Sequence, residues 1–262
     1  MQYPNKDQIY DFWLNRLRSI ESESQVCTND VALDELETQQ ILSRITPNST
    51  VLEIGCGIGL LYQKLVESTA LKQYVGTDFV HEFIEVCRRK RRNDNDRFFQ
   101  LDMTEVNSET FNKKFDFIIS KRAIQNITDR DAQIRVIEAF GKHLTYGGKL
   151  VLVESSAEAQ ENLNRERVKY GLDELKTPFH NLFFDDGLIQ KYKFKNVKLI
   201  AIDNFSSDFY FITRVIYARL ANEYLKDKPS YDHPLQKIAL TMSTKNVTTD
   251  FSQIKCYVFE KL

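Results

Sequence analysis

Three glycines at alternate positions, Gly55, Gly57 and Gly59, stand in the stretch VLEIGCGIGL at residues 51–60. The chain has only 9 glycines among 262 residues, so their concentration here asks for a chemical reason. An acid, Glu53, precedes them and Cys56 sits between the first two. A strand that ends in Gly-x-Gly-x-Gly and opens a helix can lay bare main chain against a ligand, because glycine has no Cβ and tolerates positive φ. Dinucleotide enzymes use the spacing Gly-x-Gly-x-x-Gly. Here position 60 is Leu and the third glycine falls one residue early, which disfavours a dehydrogenase.

Other residues able to do chemistry follow at the ends of apolar runs. Asp78 closes QYVGTD and is followed by Phe79, Asp102 and Met103 follow RFFQL, Ser120 closes FDFIIS, and Glu154 nearly closes GGKLVLVES. His180 lies in the aromatic segment TPFHNLFFDDG and is the leading general-base candidate, with Glu154 the second. Arg122, Arg165 and Arg214, with Tyr210 and Tyr217, could hold a phosphate, carboxylate or sugar. Each of these residues also has an ordinary structural reading, as a loop anchor or a salt-bridged helix face.

The elements that must position them alternate. Strands are expected at 51–54, 73–78, 97–101, 115–120 and 147–155, and helices at about 59–69, 80–92 and before His143, where Ile134, Ile137, Gly141 and Leu144 recur with helical spacing. Apolar strands separated by helices imply a parallel sheet covered on both faces and doubly wound. Ahead of them, a helix at 7–19 carries Tyr10 and Trp13, and Asp30 is an N-cap for a second helix. Beyond residue 156 a polar helix, the aromatic segment, a strand at 194–203, a helical excursion over 204–250 and a last strand at 251–261 are expected. One domain over 1–262 fits, with N-terminal helices at 1–47, a core at 48–155, and insertions at 156–193 and 204–250.

With these residues in place, VLEIGCGIG resembles the first motif of the class I S-adenosylmethionine-dependent methyltransferases. The resemblance spans residues 48–155 and implies a Rossmann-like, mostly parallel seven-stranded sheet. It further implies that the glycine loop lies under the methionine and ribose of S-adenosylmethionine. Asp78 would accept hydrogen bonds from both ribose hydroxyls, Asp102 would meet the adenine amino group, Met103 would pack the ring, and Ser120 would open the segment facing the reacting centre. Relatives fold an N-terminal helix over the cofactor as a lid, which would give Tyr10 and Trp13 a role in walling the sulfonium. S-adenosylhomocysteine would be the product.

SKRAIQN, at 120–126, lacks the Asn-Pro-Pro-Tyr pattern of adenine-methylating relatives, and Ser120-Lys121-Arg122 stands where metal-dependent catechol-type relatives carry an acid. No cysteine stands in the context of a cytosine-C5 nucleophile. No metal is therefore expected, and the reaction reads as methyl transfer to an oxygen or nitrogen of a small polar metabolite. The insertion sequence loosely resembles bacterial methyltransferases of surface-polysaccharide (capsule) biosynthesis, implying a sugar or phosphate-bearing precursor. A protein or RNA methyltransferase, or a non-catalytic cofactor-binding partner protein, are the alternatives.

The formal net charge of −1 gives no general attraction to nucleic acid or to an anionic membrane, and no apolar run of about 18 residues is present. The basic run RRKRR at 88–92 ends a helix, where positive charge suits the dipole. Four scattered cysteines, Cys27, Cys56, Cys87 and Cys256, suggest neither a disulfide framework nor a zinc site. A cytoplasmic protein with a small-molecule substrate, and with neither nucleic acid nor membrane as partner, is the resulting expectation; the oligomeric state is left open.

Overall fold

The structure, a computed structural model, describes residues 3–225, 228–243 and 250–262. Seven strands form one sheet: β1 (Thr50–Ile54), β2 (Gln73–Asp78), β3 (Arg97–Gln100), β4 (Phe115–Lys121), β5 (Leu144–Ser155), β6 (Val197–Asp203) and β7 (Ile254–Lys261). Their spatial order is β3-β2-β1-β4-β5-β7-β6. The first five pair in parallel, and β7 enters antiparallel between β5 and β6. The chain reverses its winding between β1 and β4, and open α/β sheets form their ligand crevice at such a point.

Eleven helices are described: α1 (Lys6–Ser19), α2 (Glu23–Val26), α3 (Val31–Leu42), α4 (Leu60–Ser68), α5 (His81–Lys90), α6 (Arg130–Gly141), α7 (Ala157–Lys169), α8 (Asp186–Lys191), α9 (Ser207–Tyr210), α10 (Tyr217–Leu220) and α11 (Pro234–Met242). Side chains alternate across a strand, and both sets are apolar here, so both faces are buried. Val51, Ile119, Val151 and Val153 pack with residues of α3, α4, α5 and α7. Leu52, Ile54, Ile118 and Leu152 pack on the other side with Ile134, Ile137 and Phe140 of α6. The helix starts follow side-chain chemistry: Asn5 and Gln8 form a reciprocal capping box on α1, and Asp30 accepts from Leu33 N at the start of α3.

Two local expectations change. The fifth strand, expected over 147–155, instead begins at Leu144, and its pairing shifts register between Phe115 and Phe117 of β4. Gly147, at φ +71°, absorbs the irregularity. The helix expected at FITRVIYARLANEYL is continuous with α9 but winds through π-helical turns at Phe211–Ile216 and Ala221–Leu225, on either side of α10. Part of the 204–250 excursion, residues 226–227 and 244–249, lies outside the described residues.

Behind the sheet edge sits a buried charge network. Asp186 accepts from Lys255 Nζ at 2.6 Å, Tyr257 Oη at 2.5 Å and Ser156 Oγ at 2.9 Å, and Lys255 also reaches Asp250 at 2.7 Å. It ties α8 to β7 and to the end of β5. Removing the ammonium leaves a buried carboxylate uncompensated, a loss of about 3–5 kcal/mol for broken buried pairs. Lys255→Ala is therefore expected to lower the urea-unfolding free energy by that order, measured on the full chain at neutral pH.

Candidate active site

The carboxyl ends of β1, β2 and β4 meet beneath α1, and a cavity of about 260 Å³ opens there. Gly55, Cys56 and Gly57 form part of its wall, with Glu53 below them. Both glycines hold positive φ, +69° and +53°. A Cβ on Gly55 would lie 2.2 Å from Ala123 Cβ, and one on Gly57 would lie 2.7 Å from Cys27 Sγ. Conformation and space thus both demand glycine. Gly59 serves differently: at φ +78° it is the N-cap of α4 and stands outside the cavity wall.

Asp78 ends β2 at the cavity with its side chain buried. Its Oδ2 accepts from Gly57 N and its Oδ1 from Val80 N, each at 2.9 Å. Each oxygen is thus met by a backbone donor, and the carboxylate is not saturated by them. Burial pushes its pKa up to about 6, opposed by the backbone donors of Val80, Gly57 and Phe79. Glu53 is held in the core by the Tyr74 hydroxyl, and burial pushes its pKa up to about 7. Phe79 and Met103 line the cavity. Asp102 does not; its Oδ1 caps a short helical turn by accepting from Thr104 N at 2.8 Å, and its carboxylate pairs with Lys6 of α1.

The roof is α1. Phe12, Trp13 and Arg16 line the cavity, whereas Tyr10 is turned outward, donating to Glu82 at 2.7 Å and packing edge-on against Phe79. Trp13 Nε1 donates to Asn126 Oδ1 at 2.7 Å, and Asn126 Nδ2 donates in turn to Asn181 at 3.1 Å. Arg16 is spent on Val26 O and Asn29. His180 reaches the same cavity, stacked on Phe12 at 4.1 Å between centroids and edge-on to Trp13 and Phe179. Its Nδ1 has no hydrogen-bond partner. Burial, then the nearby Arg16, pushes its pKa down to about 4, so the imidazole is neutral near pH 7.

Several expected site residues are placed elsewhere. Glu154 is wholly buried rather than at the rim: Ser120 Oγ donates to it at 2.8 Å, and the backbone amides of Ala123, Ile124 and Gln125 donate at 3.2, 3.0 and 3.1 Å. Arg122, at φ +56°, turns the chain so that these three amides converge. Neither Ser120 nor Glu154 lines the cavity, and Glu154, although burial raises its pKa to about 7, is engaged on both oxygens by these internal donors. Arg165 is exposed and bound to its neighbour Asn162. Arg214 pairs with Asp30 beneath the rings of Tyr210 and Tyr231, Tyr210 is core, and Tyr217 stacks on His233. These three lie away from the cavity because α9 and its continuation pack onto α11 and α7 instead. Arg122 does line it, but is matched by Glu37 at 3.2 Å and Asp34 at 3.4 Å.

Phe12, Asn126 and Asn181 were not anticipated. Helical spacing of Phe12 with the lid residues Trp13 and Arg16 was visible in the sequence, but which side of α1 faces down depends on its tilt. The two asparagines carry no sequence signal.

Two outcomes follow. Glu154→Ala leaves three buried amides and a hydroxyl unsatisfied and is expected to cost about 3–5 kcal/mol of unfolding free energy, whereas a solvent-facing base would cost almost nothing. For His180 the unfolded chain, with an ordinary pKa near 6.5, takes up its proton before the native state does. Its stabilising contribution is complete above pH 6.5 and is lost as pH falls toward about 4. Urea midpoints between pH 7 and 4.5 should accordingly fall more steeply for the native chain than for His180→Phe.

A methyltransferase domain family matches residues 52–150. The malonyl-acyl-carrier-protein O-methyltransferase of Bacillus cytotoxicus is 30% identical over 121 residues, 45% of this chain and 40% of that protein, so the match spans well under half of the relative's length. Among solved structures, the magnesium protoporphyrin IX methyltransferase of Synechocystis PCC 6803 with bound SAH superposes with a TM-score of 0.58 at 12% identity, covering 98% of this chain and 100% of that one. The N-methyltransferase NodS of Bradyrhizobium japonicum WM9, in complex with S-adenosyl-L-homocysteine, gives 0.56 at 14% identity over 95% and 97%. The fold of the whole chain is thus the Rossmann-like fold of these solved methyltransferases, and residues 52–150 are the part that matches the methyltransferase-domain family.

Proposed function

We propose that the chain transfers a methyl group from S-adenosylmethionine to an oxygen or nitrogen of a small polar metabolite. The observation that carries this reading is Asp78. A buried carboxylate with accepting capacity beyond its backbone donors stands at the wall of a cavity floored by Cβ-free backbone, which suits a hydroxyl-bearing group such as a ribose. Gly55 and Gly57 would take the chain portion of the cofactor, Phe79 and Met103 the adenine, and Phe12 and Trp13 would close over it. When bound, the cofactor supplies an electrophilic sulfonium methyl group.

What the chain's own residues then do is orient and exclude. The α1 lid shuts the cavity from above, which fits a small acceptor better than a protein or RNA strand. His180, held neutral by its surroundings, can accept a hydrogen bond from an acceptor hydroxyl or amine and hold its lone pair toward the cavity. With so low a pKa it is a weak base, so its part is positioning more than proton removal. For the acceptor we propose a sugar, free or phosphate-bearing, of the kind from which surface glycans are built. The amides of Asn29, Gln125, Asn126 and Asn181 on the cavity lining support this reading.

Calorimetric titration with S-adenosylmethionine and S-adenosylhomocysteine tests the cofactor site. Micromolar binding is expected, weakened at least about a hundredfold in Asp78→Ala, since hydrogen bonds to a charged acceptor at roughly 1.5–3 kcal/mol each disappear. Absence of binding by both compounds would overturn the reading.

A further inference from the structure

Beside the cofactor cavity lies a second, larger recess of about 1020 Å³, and the two share Pro178 and Asn181 as walls. It is bounded by the start of α1, the first turns of α7 and the segment 177–183. His180 thus sits between a wall of one space and a wall of the other: Asn181 belongs to both, and the Phe179 ring, which faces the recess, packs edge-on against its imidazole at 5.1 Å.

The polar lining of this recess is mostly amides and a hydroxyl. Gln8 already uses its amide oxygen to accept from Asn5 N, Asn181 uses its own for Asn126 Nδ2, and the Thr177 hydroxyl oxygen accepts from Gln160. Each still has an N–H or O–H to donate, beside one remaining lone pair on its oxygen. Two large rings, Tyr3 and Phe179, are about half exposed on the same lining. Its one cation, Arg130, is drawn off to Phe183 O at 3.3 Å and toward Asp185 at 3.9 Å, and its one acid, Glu161, faces no cation there. A phosphate or carboxylate would find no committed counter-charge, while oxygen-rich, uncharged groups with apolar C–H faces would find donors and flat rings.

We propose that this recess seats the methyl acceptor, and that the acceptor is an uncharged, hydroxyl-rich chain of the carbohydrate type. One end passes over Pro178 and Asn181 to bring a hydroxyl beside His180, and the remainder lies along Tyr3 and Phe179. The inference rests on the methyltransferase reading and narrows it to the neutral member of the sugar class.

Saturation-transfer NMR on the full chain, with and without S-adenosylhomocysteine, is the test. The neutral probes are maltotriose and triacetylchitotriose, and the charged ones glucose 6-phosphate and UDP-glucose. At least one neutral probe is expected to bind, and Tyr3→Ala and Phe179→Ala are each expected to weaken it by about tenfold, the scale of one lost ring contact. Tyr146→Ala, an exposed tyrosine near the opposite end of β5, serves as the control and should leave binding as it was. Three results would overturn the proposal: neither neutral probe binding, charged probes binding tenfold more tightly, or neutral binding indifferent to both ring substitutions. S-adenosylhomocysteine binding is read separately, so loss of the methyltransferase reading and loss of this one give different patterns.

Discussion

A carboxylate removed from water must be met by donors, and at Asp78 this requirement organises the site. Its two oxygens take the amides of Gly57 and Val80, one from the turn after β1 and one from the turn after β2. The same side chain thereby locks two strand-to-helix turns in one arrangement while lining the cavity. Glycine at 55 and 57 is the geometric condition for this lock, since a side chain at either position would run into Ala123 or Cys27. The left-handed residues and the buried acid are parts of one device.

The same rule explains why Glu154 is structural. Four donors converge on it, three of them successive amides presented by the bend at Arg122. That bend carries Ala123 against Gly55 and Asn126 under the lid. A buried acid at the end of β5 thus shapes the β4 crossover and, through it, the cavity floor. Its effect on any chemistry is conveyed through backbone position.

The lid is held by directional contacts more than by burial. Trp13, Asn126 and Asn181 form a chain of hydrogen bonds from α1 through the β4 crossover to the His180 loop, and Phe12 lies flat on His180. Three segments distant in sequence therefore move together or not at all. His180 is kept neutral by that enclosure. The enclosure separates the inner cavity from the outer recess while leaving Asn181 on the lining of both.

Strand positions, the doubly wound parallel sheet, the N-caps at Asp30 and the glycine loop were all legible in the sequence, because each depends on local periodicity or on a residue type that only one backbone conformation needs. Asp78, Phe79 and Met103 were legible too, since a strand end in such a sheet points at the crevice. The fates of Glu154, Ser120, Arg165, Tyr210, Arg214 and Tyr217 were not. A residue at the end of a strand can face the crevice or the neighbouring crossover, and a helix can turn either face inward. Those choices depend on which partner, often more than a hundred residues away, supplies the missing donor or counter-charge. The sequence alone determined the sheet, its switch point and a backbone cradle; the tertiary structure decided which buried acids line the cavity, which aromatic residues roof it, and that a second recess opens beside His180.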